Sequence, residues 1–106
     1  MLAKFESNQF SDADGNPEGG CTFGTGFVIS WQRGPLGRGV NRIEPNGAFV
    51  ETIIAAAKDR LDFYQQSKFK CDDNAEAIDY LDSALKVLNR RTAAREARAV
   101  EGTHAV

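Results

Sequence analysis

From Asp72 to His104 the chain reads DDNAEAIDYLDSALKVLNRRTAAREARAVEGTH, and this stretch leaves the fewest folding options open. Ile78, Leu81, Leu85 and Leu88 recur at spacings of three and four, which puts them on one face of a helix. Stepping onward from Ala84 and Leu88 brings Arg91, Arg95 and Arg98 onto a stripe continuous with the apolar one or just beside it. The helix is therefore expected to pack at one end and to carry a guanidinium row at the other.

A second helix is expected upstream. Pro45 pushes the chain out of helical conformation, Asn46 is a suitable cap, and the helix runs from about Gly47 to Gln66. Its apolar stripe is Phe49, Ile53, Ala57, Leu61 and Tyr64, widened by Val50 and Ile54, with Lys58 and Asp59 opposite. Ala55, Ala56 and Ala57 would let another helix approach closely. Ser67 to Lys70 break the pattern, and Asp73 with Glu76 forms an aspartate version of the capping box for the second helix. Two helices joined by a short turn make an antiparallel hairpin. The second one continues to Arg95 or Arg98 before Gly102 ends it, and so outruns its partner by two turns or more. Another copy of the chain is the natural cover for the overhang, which predicts a homo-oligomer.

The first half is less regular. Residues 1–20 are polar and rich in turn signals, and read as a mobile or weakly ordered arm, or else as a short strand near Leu2 to Phe5 leading into a long turn. Residues 21–45 hold a strand, Phe23 to Gln32, and the segment RGPLGRGVNRIEPNG. That segment is either a functional loop or a disordered linker. Residues 46–106 are the helical hairpin and its C-terminal tail. The fold class is α+β: a short N-terminal β-region followed by a long antiparallel two-helix hairpin.

Composition narrows the function. The 106 residues fit one small domain, and no run approaches the roughly eighteen apolar residues of a membrane span. The start, MLAKFESNQF, lacks the pattern of an export signal, so a cytoplasmic protein with free thiols at Cys21 and Cys71 is expected. Two cysteines and one histidine are too few for a zinc cluster. The formal net charge of −2 argues against binding long nucleic acid. Its distribution says more. Arg33 to Arg42 contains three arginines and no acid, and Lys86 to Arg98 has five basic residues against Glu96. Such patches point to a discrete anionic ligand, or to ordinary solvated charge.

For catalysis the residues are thin. His104 is the one imidazole and sits in a terminal tail; Cys71 lies beside Asp72 and Asp73, poor company for a thiolate; Asp79 and Asp82 resemble an ordinary solvated helix face. No catalytic set, metal site or cofactor is expected. Binding is better supplied. Arg91, Arg95 and Arg98 offer planar donors for phosphate, unless they pair with Asp59 or Asp62 of the other helix. Trp31, Phe63, Tyr64 and Phe69 are candidates to stack on a base or are core residues. The tail adds backbone amides at Gly102 and the Thr103 hydroxyl.

From Gly34 to His104 the chain resembles a group of small tailed-phage proteins. The shared features are an FYQ stretch, a cysteine and an asparagine before the second helix, an arginine–threonine pair, and a terminal R-x-V-E-G-T-H. At Ala99 this chain departs from that group, in which glycine is common. Through it the chain resembles the Thoeris anti-defence protein 1 family, phage sponges that sequester cyclic ADP-ribose isomers made by bacterial immune enzymes. The resemblance implies a small antiparallel β-region before a helical hairpin, dimers and hexamers, ligand pockets between subunits, and in some members separate sites for cyclic oligonucleotides. Carried over by motif, Phe63 is the aromatic contact, Asn74 the polar contact at the start of the second helix, and Arg91 and Thr103 the phosphate or ribose contacts.

The expectation is thus a non-enzymatic sponge working in the cytoplasm of an infected bacterial host. It buries a cyclic nucleotide between subunits through Phe63, Asn74, Arg91, Arg95, Arg98, Gly102 and Thr103, without membrane or long nucleic acid. The alternative is a structural or protein-binding phage accessory factor whose arginine-lined helix meets an acidic partner. A phosphodiesterase relying on His104 is a third reading.

Overall fold

The structure is a computed structural model describing residues 1–106. It is α+β: three antiparallel strands followed by two helices, in two compact units. One unit joins Met1–Phe49 with the C-terminal Ala99–Val106; the other is Val50–Arg98. No helix is long and apolar enough to cross a membrane.

In the first unit β1 (Phe5–Ser11), β2 (Pro17–Gly24) and β3 (Phe27–Ser30) form a sheet in the order β1-β2-β3. Residues 1–20, expected as an arm or as a short strand near Leu2 to Phe5 leading into a long turn, hold β1 and the start of β2. The order comes from pairing across the hairpin, Phe5 against Gly24 through Gln9 against Gly20, which no local pattern displays. Its turn is organised by Asp12, whose carboxylate accepts the backbone N–H groups of Asp14 and Asn16, each at 2.9 Å. At Gly20 a Cβ would run into the Asn8 carbonyl, so β1 and β2 approach there only because the side chain is missing.

The single strand expected over Phe23 to Gln32 is instead two. Gly24 pairs with Phe27, and Gly26 at φ 87° supplies the left-handed residue for the reversal between them. Thr22, the one buried polar residue, sits at the centre of the sheet. Its hydroxyl accepts the Trp31 indole N–H at 2.8 Å and shares a 2.8 Å hydrogen bond with the Ser7 hydroxyl.

Beyond β3 the chain returns to the sheet. Trp31 bridges Ala48, the Ala48 N–H donates to the Ser30 carbonyl, and the Gln32 N–H donates to the Ala48 carbonyl. A Cβ at Gly47 would strike the Trp31 carbonyl. This bridge explains why α1 (Val50–Gln65) starts later than expected, since the backbone at position 48 is committed to the sheet. Asn46 is not its cap. Its side-chain oxygen accepts the Arg33 N–H at 2.8 Å, its own N–H donates to Gln32 Oε1, and it so ties the two ends of the loop together.

The second unit is the hairpin of α1 with α2 (Asp72–Ala97). On α2 the expected face holds: Ile78, Leu81, Leu85 and Leu88 are half-buried. On α1 the expected Ile53, Ile54 and Leu61 are half-buried, but the sheltered face also takes Lys58 and Gln65, while Val50, Ala55 to Ala57 and Tyr64 are exposed. Lys58, expected on the outer face, is half-buried and its ammonium lies 4.0 Å from the Asp82 carboxylate of α2. The capping box at Asp73 is not formed. Cys71 is the N-cap without a side-chain bond, and Gln65 does the work from α1, donating to the Cys71 carbonyl and accepting its N–H at 3.1 Å each. No apolar side chain of the chain is fully buried, and Phe63, Phe69 and Tyr80 are 56%, 68% and 68% exposed.

Candidate functional site

The nominated residues fall into three groups. Two are at opposite ends of the hairpin, and the third is in the tail of the sheet-bearing unit.

At the turn end, Phe63 lies in the last turn of α1, where the register that half-shelters Leu61 and Gln65 turns position 63 outward. Arg60, one turn earlier, places its guanidinium 5.0 Å from the centroids of both the Phe63 and Tyr64 rings and donates from Nε to the Tyr64 hydroxyl at 3.2 Å. The two rings are 6.2 Å apart and tilted by 55°. Asn74, in the first turn of α2, donates to the Phe69 carbonyl at 3.5 Å, a long bond that leaves its side-chain oxygen available. An exposed aromatic with a cation over its face suits a planar ligand, and an amide at the same end of the hairpin suits polar edges.

At the other end of α2, Arg91 is exposed and pairs with neither Asp59 nor Asp62. Arg95 is half-buried one turn on, and Arg98 is the C-cap, its N–H donating to the Ala94 carbonyl at 3.2 Å. Ala99 follows at φ 58°, the left-handed position where glycine is favoured. Arg91 and Arg95 thus lie on one stripe of α2, with Arg98 at its C-terminal edge. Positions 74 and 91 of α2 are separated by about 26 Å along the axis at 1.5 Å per residue. A small ligand does not span that distance.

The tail is held by the arginine-rich loop. Arg42 grips the Glu101 carboxylate with both terminal nitrogens, at 2.7 and 3.1 Å, and Arg38 donates to the Glu101 carbonyl at 2.9 Å. The Gly37 N–H donates to the Gly102 carbonyl at 2.8 Å. Gly102 sits at φ 78°, where a Cβ would collide with the Gly37 carbonyl. Its own N–H has no acceptor within the chain. The Thr103 hydroxyl donates to the Val100 carbonyl at 2.6 Å and accepts the Ala105 N–H at 3.2 Å, so its side chain is locked in one orientation. Arg38 and Arg42, expected in a patch for an anionic ligand or as solvated charge, instead meet Glu101 of the terminal motif, a pairing the sequence does not display; Arg60 and Gln65 are not among its candidates. An acid-free loop with three arginines and a lone tail glutamate was the one available signal for the clasp.

Elsewhere in the sheet-bearing unit a cavity of about 560 Å³ is lined by Phe10, Glu18, Cys21, Trp31, Arg33 and Asn46. None of the nominated site residues faces it. Both cysteines are free thiols.

Residues 26–93 match the family described as the Acb2/Tad1 hairpin domain. The chain belongs to the Acb2/Tad1 family. The match to the Acb2/Tad1 hairpin includes Phe63, Asn74 and Arg91, whereas Arg95, Arg98, Gly102 and Thr103 lie beyond it. The chain is also 46% identical over 77 residues to Thoeris anti-defense 1 of Bacillus phage SBSphiJ7, a match covering 73% of this chain and 51% of that protein. It therefore spans about half the length of this Acb2/Tad1 relative.

Proposed function

We propose that the protein is a phage anti-defence sponge. It binds a cyclic nucleotide immune signal, a cyclic ADP-ribose isomer or a related cyclic oligonucleotide, between copies of itself in the cytoplasm of an infected bacterium. The name of the phage relative and the family membership support the anti-defence role.

One observation carries the arrangement between copies: the roughly 26 Å along α2 that separates Asn74 from Arg91. A ligand that stacks on Phe63, meets Asn74 and has its phosphates held by Arg91 and Arg95 must draw those contacts from two chains. The apolar surface left exposed by a single chain supports the same conclusion, because α1 and α2 alone shelter too little of it. In the assembled site the aromatic stacks on the base, the guanidiniums neutralise the pyrophosphate, and the Gly102–Thr103 tail closes over the ribose. Sequestration works by stoichiometry and needs no turnover.

Calorimetry with cyclic ADP-ribose isomers and cyclic di- and trinucleotides tests the binding, with the ligand recovered intact after heat denaturation. Subunit complementation tests the arrangement. Phe63→Ala/Asn74→Ala and Arg91→Ala/Arg95→Ala proteins should each fail to bind, whereas the two unfolded and refolded together should regain a fraction of the sites. No binding by the wild type to any of these ligands would discard the sponge in favour of a protein-binding accessory factor, tested by whether Arg91→Glu abolishes capture of an acidic partner.

A further inference from the structure

The tail residues proposed to touch ligand are held by residues far away in sequence. Arg42 and Arg38 converge on Glu101 from a loop that carries no acid of its own between Arg33 and Arg42. The geometry of Arg42 is two-pronged, both terminal nitrogens meeting both carboxylate oxygens, which fixes direction as well as distance. The Glu101 side chain is 20% exposed and that of Arg42 42%, so the pair is partly sheltered from water and better placed than a free surface ion pair. Arg42 also reaches the Gly37 carbonyl at 3.3 Å, and Gly37 in turn donates to Gly102. Loop and tail therefore close a ring of contacts: Arg42 to Glu101, Gly102 to Gly37, Gly37 back to Arg42.

We propose that Arg42, acting through Glu101, is the positioning residue that sets the tail for ligand. Arg38 supports it at the Glu101 carbonyl. The clasp does two things. It holds Gly102 at a left-handed backbone angle with its N–H unspent, a donor that suits a phosphate or ribose oxygen, and it fixes Thr103 one residue on. It also orders a segment that would otherwise lose conformational freedom on binding, so the ordering cost falls on folding and not on the ligand. The sequence shows two arginine concentrations of similar appearance, and the structure gives them different tasks: Arg91 remains exposed while Arg38 and Arg42 are committed to Glu101.

This inference rests on the sponge reading, and a charge-swap experiment separates the two. Arg42→Glu, Glu101→Arg and the double variant are compared with wild type by amide hydrogen exchange across residues 99–106 and by calorimetry with cyclic ADP-ribose. Each single variant should lose tail protection in the free protein and lose affinity by about tenfold or more, the scale expected for a charge-assisted pair. The double variant should recover both, which a general loss of folding would not do. Arg42→Lys, which keeps the charge but not the fork, should fall between. Wild-type affinity in either single variant, or no recovery in the swap, overturns the positioning role while the sponge stands. Absence of wild-type binding to cyclic ADP-ribose and to the cyclic oligonucleotides overturns both.

Discussion

The guanidinium of Arg60 lies 5.0 Å above the ring of Phe63 and at the same distance from Tyr64, to whose hydroxyl it also donates. One face of Phe63 is thereby covered within its own helix. A base stacking on this ring has the other face to use, and the cation behind it draws electron density away from that face.

Removing the cation should therefore weaken binding without unfolding the hairpin. Arg60→Met is expected to reduce affinity for cyclic ADP-ribose about two- to fivefold, the scale of an exposed cation–π contact, with Arg60→Lys closer to wild type. In a Phe63→Leu background the Arg60→Met change should have almost no further effect, because Arg60 acts through the ring. Calorimetry on the four proteins decides this, and additive losses would argue against it.

Ala99 holds φ 58° just past the C-terminus of α2, the single non-glycine residue of the chain at positive φ. A left-handed alanine costs roughly 1–2 kcal/mol, and glycine gives back part of that relief through the greater freedom of the unfolded chain. Ala99→Gly should stabilise the protein by about 0.5–1 kcal/mol, read as a higher denaturation midpoint in urea at unchanged slope.

Gly47 passes so close to the Trp31 carbonyl that a methyl group has no room. Gly47→Ala must push apart the bridge between Trp31 and Ala48, and a loss of about 1–3 kcal/mol is expected by calorimetric unfolding. Gly34→Ala is a useful contrast, since a Cβ there meets nothing and its cost is limited to the positive φ of 70°.

Asp12 is held below its ordinary pKa of 3.8, chiefly by the Asn16 N–H it accepts, and also by the Asn16 side chain, the Asp14 N–H and the charge of His104. A carboxyl whose pKa is lower in the folded state contributes stability that is complete above its unfolded pKa and disappears as pH falls through the folded one. Wild type should thus exceed Asp12→Asn in thermal midpoint near neutrality, with the gap closing below about pH 3.8. A gap independent of pH would mean that hydrogen bonding alone, without charge, organises the turn.

The parts of the fold that could be read from the sequence are those whose order is local. The apolar face of α2 is visible because Ile78, Leu81, Leu85 and Leu88 repeat at the helical period and lie half-buried where the period puts them. On α1 Ile53, Ile54 and Leu61 are sheltered as their spacing predicts, whereas Lys58 and Gln65 are half-buried where Ala57 and Tyr64 were expected, and no helical period singles out two polar side chains for that. β1 was hidden because its polar, exposed sequence gains order only from β2, and the reversal at Thr25–Gly26 was hidden within a run of strand-forming residues. The residues proposed to bind could be nominated singly from their chemistry. Their support could not, because Arg42 and Glu101 are brought together across most of the chain and neither belongs to a periodic pattern.

Trp31 is the chain's one tryptophan, and its indole N–H is bound to Thr22 at the centre of the sheet, whereas both long helices belong to the other compact unit. The two units consequently carry separate optical signatures: indole fluorescence follows the strands, and far-ultraviolet circular dichroism is dominated by the hairpin. Heating or denaturant titrations recorded with both probes reveal directly whether sheet and hairpin melt as one cooperative body or in succession. Repeated with a cyclic nucleotide present, they read separately whether the melting of the strands or of the hairpin is shifted.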